Sequence, residues 1–324
     1  MPVTDLIKVQ IGPETATGWG TCVAAKDKLL GVTDANLNIV DEVHQVEKTG
    51  WLYPSDLVAE VSQSGEGSIM LDLSYEEILY PLDNFFDAAT QTGTTTYTWP
   101  YDAPTDTAIT PQYMTIEFGA PSAEYEACGV LFTELNISGE AGGIWTGSFP
   151  FICSKVDDGA MATGLTERAI ELIRMADTEI YVDTWTSTIG TTKLDDALIS
   201  FDLNVTANRH LKQFAGEIEP QDHGEGRWSG TLTTVLEYTA GVKALVDAMS
   251  AATGVVQRMI RIRATSAPKS ATIDFYGTLM NGADLFDDRE GNVTVSLEWQ
   301  GTYNDTASEW FGIDVVNNVA DILV

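Results

Sequence analysis

Apolar and polar residues alternate at every second position in several short segments of the chain. Residues 145–151 and 293–299 both alternate in this way after a glycine turn, and residues 113–118 and 130–137 are rich in β-branched and aromatic side chains. Successive side chains of a strand point to opposite faces of a sheet, so this period places one face of each segment against a core. The pattern predicts a mainly β protein.

Two segments have helical spacing instead. Residues 75–90 and residues 238–253 each place apolar side chains three or four positions apart, as on one face of an amphipathic helix. Pro81 lies inside the first segment, which leaves two alternatives: a helix kinked at Pro81, or one that begins near it. We predict one helix beside each group of strands.

The chain contains an internal repeat, because similar segments occur twice in the same order. Spacing differences between the copies fall in loops, and the matches are residues 37–54 with 203–220, 65–67 with 224–226, 75–90 with 238–253, and 145–151 with 293–299. A length of 324 residues suits two domains. We predict a first domain at residues 1–155, a linker with a short helix over 166–173 at residues 156–177, and a second domain with a C-terminal arm at residues 178–324.

The composition is strongly acidic, with 48 Asp and Glu against 17 Lys and Arg and a formal net charge of -31. Affinity for nucleic acid of any sequence comes from basic groups that neutralise phosphates, so we expect this surface to repel DNA. A hydrophobic content of 44% indicates a globular chain. There is no signal-peptide pattern at the first residues and no apolar run of bilayer length, so neither export nor membrane insertion is expected.

The residue pattern predicts no catalytic, cofactor-binding or metal-binding site, and we expect the protein not to be an enzyme. No nucleophile motif lies near a histidine, and neither a Walker-type phosphate loop nor a GxGxxG pattern occurs. Three widely spaced cysteines are expected to be reduced thiols; they are Cys22, Cys128 and Cys153.

Two features leave alternatives open. An acidic cluster near an expected hairpin turn fits either a calcium site or a solvated turn, and its spacing does not match an EF-hand; it consists of Asp284, Asp287, Asp288 and Glu290. Aromatic residues beside prolines fit either a protein interface or a sugar-binding surface; they are Trp51, Tyr53, Trp99 and Tyr101.

The duplicated β-rich unit with one helix per copy resembles the tail-tube proteins of long-tailed bacteriophages that carry two tube domains per chain. Residues 180–201, which run from Ile180-Tyr181-Val182 to Phe201, are similar to the opening hairpin of the second tube domain in that family. Residues 291–301, GNVTVSLEWQG, are similar to the last strand of the domain. The resemblance covers nearly the whole chain, and the threonine-rich insert at residues 92–111 departs from the family pattern.

This resemblance implies two tandem β-sandwich or barrel-like tail-tube domains, each flanked by one α-helix, and a structural role in the virion. Three copies would form a pseudo-hexameric ring, and stacked rings would form a tube, assembled in the host cytoplasm, through which phage DNA passes without specific binding. Other expected partners are the tape measure protein and further tail proteins, with no membrane and no cofactor.

Specific residues follow from the resemblance as candidates for assembly. Loops that stack one ring on the next are expected at Trp51, Leu52, Tyr53, Asp56, Gly65, Glu217, Ile218, Glu219 and His223. An arm that reaches another subunit is expected at Trp310, Phe311, Ile313, Val315 and Val316. Two alternative functions are a secreted or virion-surface carbohydrate-binding module and a baseplate or tail-terminator protein of the same fold; an enzyme that uses paired carboxylates has only the abundance of acids in its favour.

Overall fold

The computed structural model describes residues 7–14, 19–47, 49–50, 57–120, 123–252, 254–289 and 291–322. These residues are mainly strand, which confirms the predicted fold class. The strands are β1 Lys8–Pro13, β2 Asp27–Lys28, β3 Val32–Gln45, β4 Val58–Asp72, β5 Thr92–Gly93, β6 Tyr97–Asp102, β7 Met114–Ala120, β8 Ala123–Phe132, β9 Glu134–Glu140, β10 Trp145–Cys153, β11 Lys155–Asp158, β12 Thr178–Thr184, β13 Leu198–Thr206, β14 His210–Lys212, β15 Asp222–Gly224, β16 Ser229–Glu237, β17 Gln257–Ser266, β18 Lys269–Arg289, β19 Asn292–Gly301 and β20 Phe311–Asn317.

The predicted helices are present and shorter than their apolar spacing suggested. Helix α1 spans Leu79–Phe85 and helix α2 spans Ala240–Ser250. Pro81 lies in the first turn of α1, where a missing N–H costs least, so the alternative in which the helix begins near Pro81 is the correct one. Thr239 caps α2, because its side chain accepts a hydrogen bond from the Val242 N–H at 3.3 Å.

One long sheet runs through both halves of the chain. Neighbouring strands pair antiparallel in the order β3, β4, β10, β9, β13, β16, β19 and the C-terminal part of β18. Along the inner strands β9, β10, β13 and β16 buried side chains alternate with exposed or half-buried ones, as in the pattern BeBiBiBiB of β10, where B is buried, i is intermediate and e is exposed. The sheet therefore has one face on the core and one open face.

A second layer covers the buried face of this sheet in each half. In the first half β1 pairs with β7, β7 with β8 and β8 with β11. In the second half β12 pairs with β17, β17 with the N-terminal part of β18, and β18 with β20. The same order of pairing thus occurs twice. The long strand β18 takes part in both layers of the second half, whereas in the first half β8 and β9 divide these two positions between them.

Register corrects two of the four predicted sequence matches. Leu71 pairs with Gly147 in β4–β10, and Leu236 pairs with Val295 in β16–β19, which agrees with the match of residues 145–151 to 293–299. Gly65 lies opposite Ile39, and its counterpart opposite Val205 is Gly230, not Gly224. The helix match shifts by two residues. The Leu73 N–H donates to the Trp145 carbonyl and the Tyr238 N–H donates to the Val293 carbonyl, so Leu73 is the residue that corresponds to Tyr238.

The two halves are tied together in several places, so their division into domains remains a prediction. Strand β9 pairs with β13, and β6 of the first half pairs with β20 of the second. The predicted helix over residues 166–173 is wrong: this segment is extended, and the helical structure of the linker is a 3-10 turn at Met175–Asp177. Tertiary contacts hold it extended, since Leu172 bridges to Ser74 and Arg174 to Ile144.

A single cluster of buried apolar side chains links both halves. At its centre the Phe86 ring contacts Tyr101, Trp228 and Phe311 at centroid distances of 5.9, 5.7 and 5.8 Å. The expected reduced state of all three cysteines is wrong for two of them, because Cys22 and Cys128 form a disulfide, while Cys153 is free and buried. Sequence spacing gave no sign of this pairing, since the two cysteines are 106 positions apart and meet only in the fold.

Candidate assembly surfaces

The long sheet ends in two edges, β3 and the C-terminal part of β18. The exposure of β3 differs from that of its repeat counterpart β13, which is an inner strand. Ile39 is 52% exposed, whereas Val205, at the equivalent register position, is 0% exposed because β9 pairs beside it. An edge strand with exposed apolar residues presents unpaired backbone groups to another chain.

The open face of the sheet is polar. It carries Asn136, Ser138, Thr146, Ser148, Asp202, Asn204, Thr231 and Thr233. Two adjoining hollows of about 460 and 420 Å³ share Ser138, Thr146 and Asp202. None of the strands β3, β4, β9, β10, β13, β16 and β19 contains a lysine or an arginine, so the charge that these strands bring to the open face is acidic.

A long hairpin projects beyond the rest of the sheet where β3 continues into β4. Its strands pair as far as Gln45 and Val58, and both of its faces are exposed over residues 41–47 and 57–61. Its exposed apolar side chains are Ile39, Val43, Val46, Leu57, Val58 and Val61. An apolar hairpin of this kind is a surface that a partner chain would cover.

The second repeat contains a corresponding hairpin, formed by β14 and β15, that is folded back onto the first repeat. His210 pairs with Gly224 in this hairpin, as His44 pairs with Ala59 in the other. The loop at its tip reaches the first half, because the Gln63 N–H donates to the Ile218 carbonyl at 3.0 Å. The Ser154 hydroxyl donates to the Pro220 carbonyl, also at 3.0 Å.

The predicted stacking residues fall into three groups. Trp51, Leu52, Tyr53 and Asp56 lie outside the described residues. Gly65 is not in a loop but inside β4, because the hairpin strands extend further than the turn-like sequence suggested. Glu217 and Ile218 are exposed at the tip of the second hairpin with Glu219 half-buried beside them, and His223 lies in β15. A role of any of these residues in stacking stays a prediction.

The predicted C-terminal arm is wrong as an arm. Trp310 is buried, and Phe311, Ile313 and Val315 are buried side chains of β20, with Val316 half-buried on the same strand. Strand β20 lies between β18 and β6 of its own chain, so its apolar residues complete the core of this chain and are not free to reach another.

The structure decides between the alternatives for two of the aromatic residues and gives the position of most of the acidic cluster in the fold. Trp99 and Tyr101 are 3% and 1% exposed, which removes them as a sugar-binding surface. Of the acidic cluster, Asp284, Asp287 and Asp288 lie in β18 before the β18–β19 hairpin turn, with Asp287 exposed, and Glu290 lies outside the described residues. Among the described residues, a group of cysteine and acidic side chains close enough to hold a metal is Cys22, Cys128 and Asp157, whose sulfurs are joined in the disulfide.

Arg209 is a buried cation that joins the two repeats. Its guanidinium donates to the backbone carbonyls of Phe85 and Phe132 at 2.8 Å and of Asn84 at 3.0 Å, and it pairs with Glu225 at 3.3 Å. Burial lowers the pKa of Arg209 to about 10, an effect that Glu225 opposes. The side chain caps the C-terminal end of α1, where carbonyl groups lack helical partners.

Glu14 is a buried carboxyl group beside the disulfide. It accepts hydrogen bonds from the Gly129 N–H at 2.6 Å, the Thr115 hydroxyl at 2.8 Å and the Gly20 N–H at 3.2 Å. Burial raises the pKa of Glu14 to about 7 despite these donors. The residue holds the segment before Cys22 against β7 and β8, which is a structural task.

No helix among the described residues combines the length and apolar character that a membrane crossing requires. Residues 5–301 match the model of a family described as phage tail tube protein. A comparison with curated proteins found no match.

Proposed function

Because the chain belongs to the phage tail tube protein family, and is thus a structural component of the virion tail, we propose that three copies close into a ring and that rings stack into the hollow tube. The observation that carries the proposal is the unequal burial of Ile39 and Val205 at equivalent positions of the two repeats. Strand β3 is an edge of the sheet within one chain, whereas its repeat counterpart β13 has a neighbouring strand, β9, along the same side.

The pairing of β9 with β13 supplies a template for closing the ring. In it Asn136 lies opposite Asn204. Register places Asp284 of β18 at the position of Asn136, and the sequence repeat places Asn38 at the position of Asn204. In the proposed ring Asp284 of one chain is therefore opposite Asn38 of the next, and the long sheet continues around the ring.

The polar open face suits the wall of a channel for DNA. In a ring closed through the sheet edges, one face of the sheet lines the bore, and we assign the open polar face to it. This face carries carboxylates, and its main strands contain no lysine or arginine. These strands therefore bring no cation that could neutralise a phosphate. A genome would then pass without adhering to the wall.

The number of chains follows from the resemblance together with the repeat. Six tube units surround the bore in the family pattern, and each chain offers the same strand order twice. A ring of three chains meets both conditions, and its stacking along the tube axis is a head-to-tail contact that leaves the assembly open at both ends.

Electron microscopy of the purified protein over a concentration series, with mass measurement in solution, tests the proposal. Rings or tubes with threefold symmetry and a pseudo-sixfold outline are the expected result. Paired cysteines at Asn38 and Asp284 should cross-link adjacent chains, whereas cysteines at Ile39 and Asp284 should not, because a shift of one residue moves the side chain to the other face. A monomer that persists at high concentration and in salt that screens the acidic charge would refute the proposal.

A further inference from the structure

The two hairpins of the chain have the same pairing but different surroundings. The β14–β15 hairpin folds onto the first repeat, whereas the β3–β4 hairpin of the same register extends away from the molecule. The match of residues 37–54 to 203–220 places Leu52, Tyr53 and Pro54 at the positions of Ile218, Glu219 and Pro220. The segment Trp51–Pro54 thus corresponds to the tip that contacts Gln63 and Ser154 in the first repeat.

The second repeat has its own version of that contact surface. Register places Trp228 at the position of Gln63, and the strand match places Thr302 and Tyr303 at the positions of Ser154 and Lys155. Around these residues lies an open groove of about 780 Å³, whose lining combines the aromatic side chains Trp228, Tyr303 and Trp310 with polar and charged ones such as Asp106 and Arg227. Tyr303 is 46% exposed.

The side chains of each tip suit their own receiving surface. In the first repeat Glu219 lies within electrostatic reach of Lys155, so an acidic tip meets a basic residue. In the second repeat the counterpart of Lys155 is Tyr303, and the counterpart of Glu219 is Tyr53. A sequence that contains aromatic residues thereby corresponds to a groove with three aromatic side chains in its lining, and rings bury large areas and make favourable contacts with one another.

The C-terminal ends of the two helices also differ in which groups donate to their carbonyls. The carbonyl of Asn84 at the end of α1 takes a hydrogen bond from Arg209 of the folded-back hairpin. The corresponding carbonyl, that of Met249 at the end of α2, already accepts from backbone N–H groups of residues 251 and 252. The residue at the position of Arg209 in the extended hairpin is Val43, so this hairpin carries an apolar side chain where the folded-back hairpin carries a cation.

We infer that the groove at Trp228 and Tyr303 receives the segment Trp51–Pro54 of the neighbouring chain within the same ring. The inference rests on the proposed ring and adds its partner segment. The extended β3–β4 hairpin then packs on the second repeat of the next chain, as β14–β15 packs on the first repeat of its own chain. Every repeat in the ring is thus covered by the hairpin of the adjacent repeat.

Disulfide trapping tests this placement with a control built into the chain. Cysteines at Pro54 and Thr302 should link neighbouring chains in isolated rings under oxidising conditions. Cysteines at Ser154 and Pro220, the matching pair inside one chain, should link in the dilute monomer without any increase in mass. The pair at Asn38 and Asp284 reports whether the ring itself has closed.

A charge exchange gives a second measurement that does not depend on cross-linking. Tyr303→Lys should raise the concentration at which half the chains assemble by about tenfold, the scale expected for one desolvated contact. Combining it with Tyr53→Glu recreates the charged pair of the first repeat and should restore assembly. Tyr125→Lys, at an exposed tyrosine of β8, is the control and should leave assembly unchanged.

The outcomes separate this inference from the proposed ring. If the pair at Asn38 and Asp284 links but that at Pro54 and Thr302 does not, the ring stands and the hairpin placement is overturned. The placement is also overturned if Pro54 and Thr302 link only in stacked tubes, because the segment would then join successive rings. If neither pair links while the control at Ser154 and Pro220 does, both the ring and the placement fail.

Discussion

Replacing Arg209 with methionine removes the cation that ties the second repeat to the end of α1. Methionine keeps much of the apolar stem, so the loss falls on the guanidinium group. The backbone carbonyls of Asn84, Phe85 and Phe132 lose their donor, and Glu225 loses its partner. Breaking a buried ion pair by removing one member costs about 3–5 kcal/mol, because the other charge stays behind uncompensated.

The size of the effect sets what the assay must resolve. A loss of about 4 kcal/mol, divided by an unfolding entropy of roughly 0.7 kcal/mol/K for a chain of this length, lowers Tm by about 6 °C. Urea unfolding followed by tryptophan fluorescence and by circular dichroism should show the same loss in free energy of unfolding. Arg227→Met, at an exposed arginine of the neighbouring loop, should change it by less than about 0.5 kcal/mol.

A double variant separates the charge from the packing. Arg209→Met with Glu225→Gln should be less destabilised than Arg209→Met alone, because no buried charge is then left unpaired. A loss below about 1 kcal/mol in the single variant, or a double variant that is worse than the single one, would refute the assignment of Arg209 as the link between repeats.

Three further predictions concern other parts of the fold. Glu14 has a folded-state pKa of about 7, above its value of 4.5 in the unfolded chain. Its contribution to stability is therefore fully present below pH 4.5, and roughly 3 kcal/mol of it is lost as the pH rises to 7. In urea unfolding measured at several pH values, Glu14→Gln should remove this part of the pH dependence. Reducing the Cys22–Cys128 disulfide should cost about 4.7 kcal/mol, given a closed loop of 106 positions, and thiol counting in denaturant should find Cys153 alone before reduction. Thr239→Ala should destabilise by about 1 kcal/mol through loss of the α2 cap, measured by thermal unfolding.

Local patterns predicted those elements whose burial follows from their own sequence. Strands β10 and β19 alternate apolar and polar residues, and each has one buried face in a sheet, as period two requires. Helix α2 has both the spacing and a threonine cap. The match of residues 145–151 to 293–299 holds in the register because paired strands cannot slip by one residue without exposing their apolar side chains.

Elements that depend on distant partners could not be predicted in this way. Residues 311–317 are apolar at alternate positions, yet nothing local indicates that they insert between β18 and β6. Residues 166–173 have helical spacing, but Glu171 donates its N–H to Glu76 and accepts from Ser266, contacts that only an extended segment reaches. The polar sequence before Gly65 suggested a loop, whereas pairing with β3 keeps it in a strand.

The pairing of β6 with β20 has a consequence for synthesis on the ribosome. The Trp99 indole of the first half donates to a carbonyl 220 positions later in the chain, so the first repeat stays incomplete until most of the chain has been made. At typical elongation rates this delay is about 10–40 s. During it β6 lacks a neighbouring strand and nascent chains on one messenger are close together, so subunit production is exposed to mispairing until the final strand arrives and closes the chain on itself.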